Sequence, residues 1–174
     1  VNQLTEVVIT GRGLKKKNLG NQTTSRFVST GFSYDQLGAE IGIKINVRKQ
    51  PTFVDAFNFN ISYNRLSAKA FFRLNIYEIE GGKPSRNIMT ENVIIPVEPK
   101  QIGKISIDLM SHNIVLGEDV IVTLEWVKNE GENHQGEGIF FSLGFLNNGT
   151  LIKQSSQGKF KKHGRMGIGM NIDV

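Results

Sequence analysis

Cysteine is absent from these 174 residues, tryptophan occurs once and proline four times. Without cysteine there is no disulfide, no thiolate metal site and no cysteine nucleophile. A chain of 19.4 kDa manages without such a staple. One domain of this length buries roughly 70% of the surface that its unfolded form exposes. The lack of cysteine leaves the cellular compartment open. No apolar run approaches the ~20 residues of a membrane span. No charged stretch followed by an apolar core marks a signal peptide. The sequence starts at Val1 and reads as a processed or excised piece of something longer.

The motifs of common chemistries are missing too. No serine sits in a Gly-x-Ser-x-Gly elbow. Gly11-Arg12-Gly13 lacks the third glycine and the following helix of a dinucleotide fingerprint, and there is no phosphate loop. His112, His134 and His163 are widely spaced, whereas zinc sites show at least one close ligand pair. The residues therefore point to no cofactor. A pair of catalytic carboxylates is defined by separation in space, so a glycoside hydrolase stays as a remote alternative. Glu125, between Leu124 and Trp126, is expected as a solvent-exposed sheet residue.

The net charge of +5 is uneven. Residues 1–50 carry eight Lys/Arg against Glu6, Asp35 and Glu40, and the rest of the chain is neutral, with thirteen of each sign. The basic clusters are Lys15–Lys17 and the group Lys159, Lys161, Lys162 and Arg165. Phe160 is the one aromatic residue that interleaves with them, and a single ring does not make a base-stacking platform, so nucleic acid is not expected. Lysines guarding a sheet edge account for them.

What the chain does have is a beat of two. Phe53 to Tyr63 places a large apolar side chain at nearly every second position, as a half-buried strand requires. The beat returns at Ile41, Ile43, Ile45 and Val47, and at Phe72, Leu74 and Ile76. It continues at Ile105, Ile107 and Leu109, at Val120, Val122, Leu124 and Trp126, and at Ile139, Phe141, Leu143 and Phe145. Its last run is Met166, Ile168, Met170, Ile172 and Val174. Arg26–Phe32 is a further strand candidate. Pro96 demotes Val93–Val97 to an edge or short strand. Turns separate these runs at the spacing of sandwiches and jelly rolls. The expected fold is all-β: a jelly-roll-like sandwich of two antiparallel sheets over residues 25–174. A polar tail or linker over residues 1–24 precedes it.

Trp126 shares parity with Val120, Val122 and Leu124 and is expected in the core. Phe57, Phe59 and Ile61 are expected in one core layer with Phe72, Leu74, Ile76 and Trp126. Tyr63 and Tyr77 are the other rings able to stack on a sugar. Tyr77 lies on a mixed face with Arg73 and Asn75, and these three are the candidate ligand-binding residues. The loop Glu130, Gly131, Glu132, Asn133, Gly136, Glu137 and Gly138 offers oxygen ligands of the kind calcium takes. Its spacing does not match an EF-hand, and a solvated loop is the expectation. The sequons at Asn21, Asn60 and Asn148 carry meaning only in a eukaryotic secretory protein.

Two sets of residues carry a resemblance. Leu4-Thr5-Glu6-Val7-Val8-Ile9-Thr10-Gly11 is similar to the Leu-x-Glu-Val-Val-Val-x-Gly ending of the carboxypeptidase-like regulatory domain. In Bacteroidetes that domain precedes envelope proteins, including TonB-dependent receptors, but nothing like a plug or barrel follows here. Leu37–Gly42, Phe72–Tyr77, Glu91–Ile94, Ile107–Leu109 with Asn113-Ile114, and Val122–Trp126 resemble the C-terminal β-sandwich of Bacteroidetes proteins containing that regulatory domain. The resemblance covers residues 30–174 in the same order and brings no catalytic residues with it. Its shape resembles galactose-binding and other carbohydrate modules, which is an analogy of fold. It implies a non-enzymatic accessory or binding domain of a bacterial cell envelope, periplasmic or outer-membrane-associated. The partner is then a glycan or, in the rival reading, another envelope protein.

Overall fold

The computed structural model describes residues 16–48, 51–132, 134–145 and 149–174. The early strands are β1 (Asn18–Gly20), β2 (Ser29–Ser33), β3 (Glu40–Ile45), β4 (Thr52–Phe53) and β5 (Ala56–Asn64). Next come β6 (Ala70–Glu80), β7 (Lys83–Asn87), β8 (Val93–Val97) and β9 (Gly103–Asp108), then a single 3₁₀ turn at Met110–His112. The remaining strands are β10 (Val115–Leu116), β11 (Val120–Asn129), β12 (Gly138–Gly144), β13 (Thr150–Lys153), β14 (Lys161–His163), β15 (Gly167–Ile168) and β16 (Met170–Asp173).

These strands form two antiparallel sheets. In the first, the order is β1-β16-β5-β12-β15, with β2 added to β12 and β9 added to β5. In the second it is β14-β13-β3-β11-β6-β7, with β8 added to β6. β4 and β10 make a small separate ribbon. The architecture is the all-β sandwich that the alternation predicts.

The period of two sorts each strand into an inner and an outer row. Ile41, Ile43 and Ile45 point inward from β3, and Val120, Val122, Leu124 and Trp126 from β11; all are buried. The first sheet answers with Phe57, Phe59 and Ile61 of β5, Ile139 and Phe141 of β12, and Met170 and Ile172 of β16. Aromatic rings close the gap between the layers. Phe32 and Phe141 of the first sheet meet Phe72 and Trp126 of the second at centroid distances of 5.9–6.2 Å. Trp126 satisfies its indole by donating from Nε1 to Asn129 Oδ1 at 2.7 Å, as a buried polar handle requires.

Local chemistry explains two of the connections. β6 and β7 are joined through Gly81 and Gly82, both at positive φ (56° and 76°), the backbone that a two-residue hairpin of primed type demands. Pro96 sits in β8, which among the described residues pairs only with β6, the edge position where a strand tolerates proline.

Several boundaries differ from the expectation. The strand expected to open at Phe53 opens at Ala56, because Val54 and Asp55 donate to the carbonyls of Ile114 and Asp173 and turn the chain. Phe53 is left exposed on the β4–β10 ribbon. Arg26–Phe32 shifts to Ser29–Ser33, leaving Phe27 outside. The last run divides at Gly169, whose N–H donates to Ser142 and whose carbonyl accepts from Asn60. Asn18–Gly20, within the stretch read as a tail, pairs with β16 along Asn18↔Asp173 and Gly20↔Asn171. The Leu4–Gly11 segment lies outside the described residues.

Candidate functional site

Each sheet has an outer face, and both are polar. On the second sheet the outer row runs Lys153 (β13), Glu40 (β3), Glu125 (β11) and Arg73 (β6), with Glu125 directly opposite both Glu40 and Arg73. Glu40 is fully buried. Its carboxylate is met by donors from three neighbouring strands. Lys153 Nζ lies 2.5 Å from Oε2, Asn75 Nδ2 donates to Oε1 at 3.0 Å, and the Thr123 hydroxyl donates to Oε1 as well. A buried carboxylate without such partners would be far too costly to keep charged.

The three residues expected to bind a ligand stand together on this face, and their polar atoms are turned to the carboxylates. Arg73 donates to Glu125 Oε2 from Nε at 3.1 Å and from Nη2 at 2.8 Å. Asn75 also donates to Glu125 at 3.3 Å and accepts from Asn87 at 2.9 Å. Tyr77 is half-buried and edge-on to Phe160 at 6.0 Å. Burial raises its phenol above the ordinary tyrosine range, and the negative charge of the Glu40 carboxylate raises it further. Phe160 also covers Lys153, whose ammonium is 5.1 Å from the ring centroid. Glu125 is only 9% exposed, against the expectation of a solvated residue, because Arg73 lies across it.

The outer face of the first sheet is built of amides. Asn58 and Asn60 alternate with the core residues of β5, and Asn171 and Asp173 do the same on β16. Asn18 of β1 and Lys104 of β9 come in from either side, Lys104 directly opposite Asn60. Asp173 accepts from Asn18 Nδ2 at 2.8 Å and from Asn58 Nδ2 at 2.9 Å. Asn171 Oδ1 accepts from the same two amides. Burial works to raise the Asp173 carboxyl. The amides of Asn58 and Asn18 and the charges of Lys104 and Lys16 outweigh it and hold Asp173 below the usual carboxylate range.

The segment after β1 crosses this face and forms a wall. Asn21 Nδ2 donates to the Gly167 carbonyl at 2.5 Å, Thr23 Oγ1 to Leu143 at 3.4 Å, and Ser142 Oγ donates back to Ser25 at 2.6 Å. Gly169 lets the wall approach, since a Cβ there would lie 2.6 Å from the Thr23 carbonyl oxygen. Between the wall and β9 lies a cleft of about 310 Å³ lined by Asn18, Thr23, Asn60, Lys104, Asn171 and Asp173 among others. The amide oxygens of Asn18 and Asn58 are buried with no hydrogen-bond partner among the described residues. Buried acceptors of that kind are rare in folded proteins and call for a donor. Asp173 is the one carboxylate in the lining, so a pair of facing carboxylates is not what this cleft offers.

The other expected features fall elsewhere. In the acidic loop, Glu130 lies 3.9 Å from Lys69 Nζ and Glu137 accepts from the Ser67 N–H, while Asn133 is outside the described residues. No group of three or more His, Asp or Glu side chains poised for a metal occurs among the described residues. No helix there is long and apolar enough to cross a membrane. The amide cleft was not legible as a motif. Its trace in the sequence is the pair of asparagines at alternate positions 58 and 60, between apolar residues.

No family model and no curated protein matches this chain. Solved structures do. One is the clostridial cysteine protease Cwp84 after propeptide cleavage, with a TM-score of 0.60 at 10% identity over 91% of this chain. Another comprises the cysteine protease and lectin-like domains of Cwp84, a surface layer associated protein of Clostridium difficile, with a TM-score of 0.53 at 12% identity over 83% of this chain. This chain spans 39% and 35% of those two chains. The likeness is one of fold: a jelly-roll-like sandwich of two antiparallel sheets.

Proposed function

We propose that this chain is a non-enzymatic binding domain of a cell-envelope protein and that its cleft on the first sheet takes a glycan. The observation that carries the reading is the amide-lined cleft, with one carboxylate, one ammonium and, at Asn18, a buried amide oxygen lacking a donor among the described residues. Sugar hydroxyls donate and accept at once, which is the chemistry such a lining complements. The fold neighbours support it at a distance, since one of them carries a lectin-like domain of a surface layer associated protein. The second sheet's face with Arg73, Asn75 and Tyr77 is the alternative place for the same ligand. A protein-interaction module is the second reading, favoured by Phe27 (99% exposed) and Phe145 (75% exposed) at one end of the β2–β12 pair.

A glycan array followed by calorimetry tests this, with Lys104→Ala and Asn60→Ala set against Arg73→Ala and Tyr77→Ala. Loss of binding of about tenfold or more is expected in the first pair, with Arg73→Ala close to the parent. The reverse pattern moves the site to the second sheet. No binding to any glycan by the folded parent protein removes the reading.

A further inference from the structure

We infer that the ligand is an extended oligosaccharide rather than a single terminal sugar, lying along the outer face of the first sheet. The cleft is one subsite and the Tyr63–Phe140 pair is a second. This rests on the glycan reading above and is carried by a separate observation. Tyr63 and Phe140 are directly paired across β5 and β12, so their side chains share a face. Phe140 alternates with the inward Ile139 and Phe141, so that face is the outer one. Their ring centroids are 6.2 Å apart with planes inclined at 39°. Tyr63 is 43% exposed, and the Arg65 guanidinium stacks over it at 4.6 Å.

The two features adjoin. Asn60 in the cleft donates to Ser142 at 2.8 Å. Ser142 and Phe140 are two residues apart on the same face of β12, which spaces them by about 7 Å. A bound chain therefore passes from the amides at Asn171, opposite Asn58, past Asn60 to the tilted aromatic pair at Tyr63, about 16 Å along β5, a span of several sugar rings. Aromatic faces take the C–H faces of pyranose rings, and Arg65 offers fork-shaped donors beside them.

Calorimetry with three size series tests the inference: glucose to cellohexaose, N-acetylglucosamine to chitohexaose, and galacturonic acid to its hexamer. Within whichever series binds, affinity is expected to rise by about tenfold from the monosaccharide to the tri- or tetrasaccharide, the scale of one stacked ring. Tyr63→Ala should abolish that rise, and Tyr63→Phe, which keeps the ring, should retain it. Equal affinity along the bound series, or a rise that survives Tyr63→Ala, overturns the extended site and leaves the glycan reading in place. Failure of every series and of the array together overturns both.

Discussion

Glu40 shows how much of this molecule turns on single side chains. A carboxylate on the outer row of a sheet is ordinarily solvated, yet here it is fully buried beneath Phe160 and Lys153. It survives because Asn75 and Thr123 donate to it and the Lys153 ammonium pairs with it. Tyr77 supplies a test through pH. Its folded-state pKa is raised, so between the ordinary tyrosine value near 10 and its own value the folded state holds a proton that the unfolded state has lost. That contribution is fully present below the unfolded pKa and is lost as pH rises through the folded one. Urea midpoints measured from pH 8 to 11 should fall more steeply for the parent than for Tyr77→Phe. Parallel curves would show that the Tyr77 phenol is not raised in the folded state.

At the scale of elements, the pairing of β3 with β11 depends on a missing side chain. Gly42 faces Thr123, and a Cβ built on it would lie 2.0 Å from the Val122 carbonyl oxygen. Gly42→Ala must separate the two strands and push on Thr123, which donates to Glu40, at a cost of about 1–3 kcal/mol. A lowered melting temperature with unchanged far-UV circular dichroism is the expected result. An unchanged melting temperature would mean that the strands yield freely there. A second element-scale device is the irregularity in β5. Phe57, Phe59, Ile61 and Tyr63 share parity in the sequence, and an uninterrupted strand would point all four inward. The register between β5 and β12 shifts between Phe140 and Phe141, placing Ser62 as the extra residue. That bulge turns Tyr63 outward beside Phe140, the rotation that an inserted residue imposes.

For the whole molecule, the decisive contact is the aromatic seam between the sheets. Phe141 of the first sheet touches Phe72 of the second as well as Phe32 and Phe59. Neither sheet can leave without opening the seam, so the two are expected to unfold together. Phe141→Ala should cost about 3–5 kcal/mol. Trp126 is the only tryptophan and is fully buried beside Phe32 and Phe72, so its fluorescence reports on the seam directly. In both parent and variant, denaturation followed by tryptophan fluorescence and by far-UV circular dichroism should coincide. Separate transitions would mean that the sheets are independent units.

By itself the sequence determined the class of the fold and most of its inner rows. Side-chain period is a local property, and Ile41 to Ile45, Val120 to Trp126 and Phe57 to Ile61 all point where alternation puts them. It also placed Arg73, Asn75 and Tyr77 on one face, since three alternate residues of a strand share a side. Only the tertiary structure decided what those faces meet. Glu40 and Lys153 reach Asn75 and Tyr77 through strands far apart in the chain, and the Asp173 carboxylate finds Asn18 across 155 positions. Strand partnership is set by the packing of the whole sandwich, and no spacing of residues encodes it. For the same reason the amide cleft and the outward turn of Tyr63 appear only when β1, β5, β9, β12 and β16 lie side by side.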